Sequence, residues 1–413
     1  MHGYSNEVVT RTVGPLPGEC HTPPLDDPYI RWYWGVGFQF SVFATILRPL
    51  AFSPSAIQIV NLSLPPWSIT CLCLEAIPIL YSSPYHLPLA KVDKMNGHHA
   101  IRLLKPGINV PMVAFFHPET EDVDVEATAK HAVRLAKAGL TSITTQGSNG
   151  EAVHLTKDER ILVTSTARKA LDDAGFPNMP IVVGCAAQSV RETIEFCRDA
   201  YKAGGDYALV LPPSYYKSSY TQQSFIDYFQ DVATGSPIPI LIYNYPGAVA
   251  GVDLDSDSII RLSKHPNIAG CKLTCGNTGK LSRIANVVNA ATATEANSGW
   301  MCMGGSADFT LQTMIAGGSG IITGLGNIVP KACVKVFDLY AQGKVEEAKK
   351  IQAIVARGDW AVIKGGVTGT KVGLESYFGY GGYARRPLPK PTQEDIAQTE
   401  ALLKEVIELE NSL

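Results

Sequence analysis

Apolar and polar positions follow a block pattern from residue 107 onward that predicts strands separated by helices. Short apolar runs rich in β-branched residues predict strands; they span residues 108–116, 140–145, 180–184, 207–211, 239–243, 268–272, 292–297 and 320–323. The seventh run is short and contains Glu295. Between the runs, apolar residues recur at helical spacing, as at Ala129, Val133 and Ala136 before the capping residue Gly139.

Eight strands separated by helices predict an α/β protein with a parallel sheet. Eight repeats favour a closed (β/α)8 barrel, or TIM barrel, over an open doubly wound sheet, and no GxGxxG motif follows the first strand. We assign the catalytic barrel to residues 95–330. Residues 331–413 then hold the eighth barrel helix and a C-terminal helical appendage. Its helices are predicted at residues 331–342, 345–357 and 393–410, with a loop at residues 379–389.

Residues 1–94 are an irregular N-terminal extension with no consistent period. Residues 32–47 are too few for the ~20-residue helix that spans a membrane, and prolines interrupt residues 49–74. The start of the chain is too acidic for a secretory signal or a transit peptide. We expect the extension to be poorly ordered or loosely packed, or an artefact of gene annotation if translation starts at Met95. A membrane-associated hairpin is the alternative, but we expect no stable membrane insertion.

Composition and charge exclude some function classes. The 413-residue chain is 46% hydrophobic and 18% charged with a net charge of −3, which is typical of a soluble globular enzyme. It has no long basic run, so we expect no nucleic-acid partner. The nine cysteines contain no CxxC pair and suggest no disulfide framework or metal site. We therefore expect a reducing compartment, the cytoplasm, with the mitochondrion as the alternative.

Lys272 is the strongest candidate for a catalytic residue. Catalytic residues of such barrels lie at the C-terminal ends of the strands, and Lys272 ends the sixth predicted strand. Inside a barrel the side chain is removed from water, which favours the uncharged amine. An uncharged amine can attack a ketone and form an iminium that acts as an electron sink. The structural alternative is a lysine that snorkels to the barrel rim.

Two other strand ends carry groups that fit this chemistry. Gly147-Ser148-Asn149-Gly150-Glu151 follows the second strand, and consecutive backbone N–H groups there can form a nest for a carboxylate. Tyr243 ends the fifth strand, and its phenol can pass protons to and from a substrate oxygen. An ordinary βα turn and a packing tyrosine are the alternatives. Together with Lys272, these groups favour a class I, Schiff-base-forming aldolase or lyase.

These motifs resemble the dihydrodipicolinate synthase and N-acetylneuraminate lyase family over about residues 107–388. By that resemblance, Lys272 is the Schiff-base lysine and Tyr243 is the general acid/base. Tyr216, in the Tyr215-Tyr216 pair, resembles the tyrosine that reaches into a neighbouring subunit's site. Ser148 would relay protons between Tyr243 and Tyr216.

The resemblance also implies a pocket for the pyruvate part of a small-molecule 2-oxo acid. Asn149, with its backbone N–H, and Gly150 would hold the carboxylate, while Gly305 and Ile322 would line the pocket. The family needs no metal and no organic cofactor. It usually forms homotetramers, as dimers of tight dimers.

The chain departs from the synthases that condense pyruvate with aspartate semialdehyde. Those synthases usually carry an arginine shortly after the catalytic tyrosine, but residues 246–251, around Ala248, contain none. Serine and asparagine replace their usual pair of threonines in the carboxylate loop. Both features, and the segment Phe378-Gly379-Tyr380-Gly381-Gly382, resemble the 4-hydroxy-2-oxoglutarate and L-threo-3-deoxyhexulosonate aldolases. We therefore predict that a 3-deoxy-2-oxo sugar acid or 4-hydroxy-2-oxoglutarate is cleaved to pyruvate and an aldehyde.

Three alternatives stay open. A dihydrodipicolinate synthase needs a cation for its second carboxylate, and Arg385 or Arg386 could supply it from another loop. A sugar-acid dehydratase is the next alternative. A degenerate barrel serving as a scaffold or small-molecule sensor is the non-enzymatic one, and it would not be trapped by borohydride with pyruvate.

Overall fold

Eight parallel strands close into a barrel in the computed structural model, which describes residues 100–413. Each strand pairs with the next, and the last pairs with the first, so the sheet has no free edge. In chain order the strands are β1 (Gly107–Pro111), β2 (Ser142–Thr145), β3 (Ile181–Gly184), β4 (Tyr207–Val210), β5 (Ile240–Asn244), β6 (Ile268–Leu273), β7 (Met301–Gly304) and β8 (Gly320–Ile322). The predicted TIM barrel is confirmed. The predicted extension over residues 1–94 lies outside the described residues.

Both faces of the sheet are covered, so the strands are buried and most of their residues are apolar. β3 and β4 are buried at every position. Alternate side chains point to opposite faces, so outward residues such as Ile181 pack against the helices in one large core. Inward residues form a second cluster in the lumen of the barrel, including Val182, Leu209, Leu241, Tyr243, Met303 and Ile322.

Helices follow the strands and cover the outside of the barrel. They are α1 (Val125–Lys137), α2 (Lys157–Asp173), α3 (Val190–Lys202), α4 (Gln222–Gly235), α5 (Ser256–Leu262), α6 (Thr278–Val288), α7 (Thr310–Ile315) and α8 (Pro330–Ala341). Side-chain caps fix where several begin: Thr156 and Glu159 form a reciprocal capping box at the start of α2. Gly139, predicted to end the first helix, has a φ of +92°, which glycine adopts without strain.

The predicted seventh strand at residues 292–297 is wrong. These residues form a largely exposed turn in which the Thr292 N–H donates to the Glu295 carbonyl at 2.8 Å. An unpaired Glu295 carboxylate cannot be buried in the sheet without a large desolvation penalty. The strand is instead β7, whose Met301-Cys302-Met303 run is fully buried. That apolar run was the sequence signal for the strand.

The C-terminal appendage consists of α9 (Val345–Phe378) and α10 (Gln393–Ser412), which pack against each other and against α8. α9 continues well beyond the predicted end at residue 357, with one non-helical residue, Gly366, at φ 55° and ψ −142°. Its glycines allow close helix packing: a Cβ on Gly358 would lie 2.5 Å from Val406 of α10. Residues 379–389 contain no helix or strand, as predicted.

Candidate active site

The C-terminal end of the barrel brings Tyr243 and Lys272 together. The two residues are direct register partners on the neighbouring strands β5 and β6. The Lys272 Nζ atom lies over the Tyr243 ring, 4.3 Å from its centroid. Both side chains are buried, with exposures of 3% for Lys272 and 4% for Tyr243. An amine and a phenol therefore share the lumen of the barrel at the strand ends.

Lys272 has no ionic partner within the described part of the chain. The ion pairs of buried lysines there engage Lys280, with Asp253, and Lys371, with Glu151. β6 also sets Lys272 beside Met303 of β7, which is apolar. The Lys272 amine is thus held among tyrosine and methionine side chains and is not engaged by a carboxylate.

The Tyr243 hydroxyl connects Lys272 to the loop after β2. It lies 3.5 Å from the Ser148 hydroxyl oxygen, at the long limit of a hydrogen bond. The Tyr243 ring stacks on Tyr245, with ring centroids 5.8 Å apart and an interplanar angle of 23°. Stacking fixes the ring, so the phenol oxygen is directed toward Ser148.

The 147–151 loop, which follows β2, has unpaired backbone N–H groups in the described structure. It consists of Gly147, Ser148, Asn149, Gly150 and Glu151. Among residues 100–413, no acceptor takes a hydrogen bond from the N–H groups of Ser148, Asn149 or Gly150. Gly150 lets this backbone pack tightly, because a Cβ there would lie 2.9 Å from the Met112 carbonyl oxygen. The Asn149 side chain is engaged elsewhere: its Nδ2 donates to Thr370 Oγ1 of α9 at 3.4 Å. An anion at this loop would thus meet backbone donors first.

Gly305 and Ile322 lie at the same end of the barrel. Ile322 is fully buried in the lumen cluster with Tyr243 and Met303. Gly305 directly follows β7 and crosses close to Thr274, since a Cβ on Gly305 would lie 2.0 Å from Thr274 Oγ1. Thr274 was not predicted, although the two-residue period of β6 points from Lys272 to it. Its hydroxyl is buried and has no hydrogen-bond partner in the described structure.

Tyr216 does not join the other candidate residues within this chain. Its side chain is 62% exposed and forms an edge-to-face pair with Tyr215, with ring centroids 5.0 Å apart. The next residue, Lys217, donates from Nζ to the Ala250 carbonyl at 2.8 Å. A role for Tyr216 in a neighbouring subunit stays a prediction.

Arg385 and Arg386 are both engaged in ion pairs outside the lumen. Arg385 binds both carboxylate oxygens of Glu159, at 2.6 and 2.9 Å, and holds the pKa of Glu159 down at about 2. Arg386 pairs with Glu121 at 2.7 Å. Neither guanidinium is available to replace the arginine that is absent after Tyr243.

Residues 100–413 contain neither a cluster of metal ligands nor a membrane-spanning helix. No group of three or more His, Cys, Asp or Glu side chains is arranged to hold a metal ion in this part of the chain. None of its helices combines the length and apolarity needed to cross a bilayer. Its six cysteines are free thiols, and five of them are buried.

The closed barrel, with a buried lysine and tyrosine at the C-terminal ends of its strands, is typical of a TIM-barrel enzyme. Its relatives are named aldolases, which makes the class of protein a carbon–carbon lyase. Residues 105–406 match the model of the Dihydrodipicolinate synthetase family, and the chain belongs to this family.

Three relatives illustrate the match. A protein of Emericella nidulans named "Probable 4-hydroxy-2-oxoglutarate aldolase, mitochondrial" is 56% identical over 76% of this chain and 99% of its own length. The "L-threo-3-deoxy-hexylosonate aldolase" of Hypocrea jecorina is 52% identical over 74% of this chain and 98% of its own. The crystal structure of a dihydrodipicolinate synthase family protein from Coccidioides immitis superposes with a TM-score of 0.67 at 32% identity, over 76% of this chain and 99% of that one.

Proposed function

We propose that this protein forms a Schiff base through Lys272 and cleaves a 2-oxo acid to pyruvate and an aldehyde. The observation that carries the proposal is the register pairing of Lys272 with Tyr243 in the lumen, beside the unpaired backbone donors of the 147–151 loop. The amine, the proton carrier and the anion site are the three parts that a class I aldolase needs.

The first half of the reaction joins the substrate to the enzyme. Backbone N–H groups of Ser148 and Asn149 bind the C1 carboxylate, and the Lys272 amine attacks the C2 ketone. The carbinolamine loses its C2 oxygen as water, with a proton supplied by Tyr243, and leaves an iminium. The 3.5 Å contact between Tyr243 and Ser148 gives the phenol a neighbour for proton exchange.

The second half breaks the carbon–carbon bond. Tyr243 removes the proton of the C4 hydroxyl, the C3–C4 bond breaks, and its electron pair moves to the iminium as the aldehyde leaves. The resulting enamine takes this proton back from Tyr243 at C3, which regenerates an iminium. Water then hydrolyses the iminium, which releases pyruvate and restores the Lys272 amine.

The charges around the site favour a neutral aldehyde part. The stretch after Tyr243 has Ala248 and no arginine, and Arg385 and Arg386 are held by Glu159 and Glu121. A buried carboxylate that has no hydrogen-bonding partner costs about 1.5–3 kcal/mol or more of binding free energy. A polyhydroxy aldehyde avoids this loss, so we infer that the substrate is a 3-deoxy-2-oxo sugar acid. The name of the Hypocrea jecorina relative supports this substrate class.

4-Hydroxy-2-oxoglutarate is the second candidate substrate. Its aldehyde fragment is itself a carboxylate and needs a cation. Lys217 could supply one, because its ammonium contacts the loop after Tyr243 at Ala250. The name of the Emericella nidulans relative supports this candidate. Both relatives are named as aldolases, which favours cleavage over the dihydrodipicolinate synthase alternative.

Borohydride trapping tests the proposed chemistry. The wild-type protein, incubated with pyruvate and borohydride, should gain one reduced pyruvate adduct, located on Lys272 by peptide mass mapping. Lys272→Arg should neither trap nor turn over, because arginine stays protonated. Lys280→Arg, altered at another buried lysine, should trap normally. A wild-type protein that gains no adduct, or a Lys272→Arg variant that still does, would refute the proposal.

A substrate panel tests the aldehyde part. Catalytic efficiency should be highest for the 3-deoxy-2-oxo sugar acid and lowest for condensation of pyruvate with aspartate semialdehyde. If 4-hydroxy-2-oxoglutarate wins instead, Lys217→Met should lower its efficiency about tenfold or more and leave the sugar acid unaffected. A clear preference for aspartate semialdehyde would reject the substrate assignment.

The assembly and the location of the protein also stay proposals. We infer a homotetramer in which Tyr216 enters a neighbouring site, and the exposure of the Tyr215-Tyr216 pair supports it. Sedimentation of the wild type would test it, and a monomer with full activity would reject it. The Emericella nidulans relative carries "mitochondrial" in its name, which supports the mitochondrion over the predicted cytoplasm. Cell fractionation would decide between the two.

A further inference from the structure

The 147–151 loop ends on a buried ion pair with the C-terminal appendage. Glu151 has a left-handed backbone, with φ 49° and ψ 40°, and its carboxylate is almost fully buried. The Glu151 Oε1 atom lies 2.7 Å from Lys371 Nζ of α9, and both side chains are only 1% exposed. Residues 220 positions apart in sequence (371 − 151) thus meet at the end of the proposed carboxylate site.

The ion pair is supported on both sides. The Glu151 Oε2 atom accepts from the Arg385 backbone N–H at 2.8 Å and lies 3.0 Å from His154 Nδ1. Lys371 Nζ donates to the Tyr383 carbonyl at 2.8 Å and lies 4.6 Å from the centroid of the Phe116 ring. Burial lowers the pKa of Lys371 in spite of the neighbouring carboxylate. A pair this far from water is stable only when its surroundings hold both partners in position.

The preceding residue of α9 makes a second connection to the loop. Thr370 Oγ1 accepts from Asn149 Nδ2 at 3.4 Å and donates to the Gly366 carbonyl at 2.9 Å. Gly366 is the non-helical residue inside α9. Consecutive residues of one helix therefore hold Asn149 and Glu151, on either side of Gly150.

We propose that Lys371 is a positioning residue for the carboxylate site, assisted by Thr370, so that the C-terminal appendage sets the geometry in which the 147–151 loop binds substrate. The inference rests on the proposed function, because it takes the 147–151 loop as the site of the substrate carboxylate. Neither residue acts on the substrate itself. Their effect passes through the backbone of Ser148, Asn149 and Gly150.

The expected effect is on binding. The carboxylate is bound alike in the ground state and the transition state, so a misplaced loop raises KM more than it lowers kcat. Lys371→Met leaves the buried Glu151 carboxylate without its cation, and the loop must shift to relieve it. We expect the pyruvate concentration that half-saturates borohydride trapping to rise about tenfold or more, since hydrogen bonds to a charged group contribute about 1.5–3 kcal/mol to binding.

The experiment compares four variants with the wild type by trapping, steady-state kinetics and thermal melting. Lys371→Met should raise the half-saturating concentration about tenfold, with kcat within about threefold of the wild type. The double variant Lys371→Met/Glu151→Gln removes both charges and should recover part of the loss. Thr370→Val removes the second connection without a charge, and we expect a rise of about threefold or more. Lys364→Met, exposed on the same helix, is the control and should behave as wild type.

The half-saturating concentrations of the variants decide whether Lys371 and Thr370 position the loop. Unchanged half-saturation in folded Lys371→Met and Thr370→Val would overturn the inference while leaving the proposed function intact. If Lys371→Met does not fold, Thr370→Val alone decides in the same way. A wild-type protein that never traps pyruvate would overturn the proposed function, and this inference with it.

Discussion

Replacing Tyr243 with phenylalanine separates proton transfer from packing at the site. The Tyr243 ring stacks on Tyr245 and lies 4.3 Å from Lys272 Nζ, and phenylalanine keeps both contacts. Only the hydroxyl is lost, and its one hydrogen bond in the described structure is with Ser148 at 3.5 Å. A hydrogen bond of that length contributes no more than about 1 kcal/mol to folding, or roughly 2–4 °C in Tm.

The catalytic effect should be much larger. A positioned acid/base contributes about 10²–10⁴-fold to turnover, which corresponds to roughly 2.7–5.5 kcal/mol of transition-state stabilisation. We therefore expect Tyr243→Phe to lose at least ~10²-fold in kcat while pyruvate binding is retained. Stopped-time assays of pyruvate release give kcat, and a binding titration with pyruvate gives affinity.

A matched variant strengthens the test. Tyr245→Phe removes a hydroxyl from the stacked neighbour, which we have not assigned to the chemistry, and it should stay within a few-fold of the wild type. If Tyr243→Phe loses affinity at normal turnover, Tyr243 is a binding residue. If turnover falls equally in both variants, the loss is not specific to the Tyr243 hydroxyl, and its assignment as the acid/base is rejected.

Three further predictions concern metals, backbone clearance and pH. Chelators should leave activity unchanged, because the iminium is the electron sink in the proposed mechanism; a loss that zinc or magnesium restores would reject the class I mechanism. Gly305→Ala should impair folding or activity, because its Cβ would lie 2.0 Å from Thr274 Oγ1, whereas Gly365→Ala meets nothing within 4 Å and should be tolerated in melting and activity assays. Burial raises the pKa of Asp359 to about 6, so its stabilising contribution is present below its ordinary pKa and lost as pH rises through about 6. Relative to wild type, Asp359→Asn should gain up to about 3 kcal/mol of stability between about pH 4 and 7; denaturation curves with a constant difference would contradict this.

Much of the fold follows from the period of the apolar residues. Buried parallel strands are mostly apolar, so seven of the eight predicted strands overlap observed ones, although the first ends at Pro111 and not at residue 116. The seventh was misassigned because residues 292–297 hold only two β-branched residues, Thr292 and Thr294, and form a turn around Glu295. The true extent of α9 was missed because glycines such as Gly358 and Gly373 have low helix propensity. These glycines are explained by tertiary packing and not by helix propensity, since a Cβ on Gly373 would lie 2.6 Å from Ile328.

The sequence predicts those parts of the candidate site whose positions depend only on the geometry of the barrel. Parallel strands end at one edge of the barrel, so Tyr243 and Lys272 had to be close. The partners of the long charged side chains were not predictable in this way. Arg385 binds Glu159 and Lys371 binds Glu151, and both pairs depend on how the appendage folds back over α2 and the loop after β2. No local pattern encodes such contacts.

The pairing of β5 with β6 explains why a lysine, and not a cysteine, faces Tyr243. Ile240 pairs with Ile268, and regular pairing from there would place Tyr243 opposite Cys271. The register shifts between Ile240 and Leu241, so that Tyr243 is opposite Lys272 instead. β6 thus holds one residue more than β5 at this point. One extra residue in a strand moves every following side chain to the opposite face of the sheet.

The extra residue determines which side chains of β6 face the helices and which face the lumen. Cys271 packs in the outer core between sheet and helices, while Lys272 lies over Tyr243 in the lumen. The irregularity is possible because residue 270 is glycine: a Cβ there would lie 2.4 Å from the Met301 carbonyl oxygen. A regular strand with a larger residue at position 270 would turn the Lys272 amine outward, into the layer between sheet and helices. Gly270 is therefore required for the placement of Lys272, the proposed nucleophile, although it carries no reactive group.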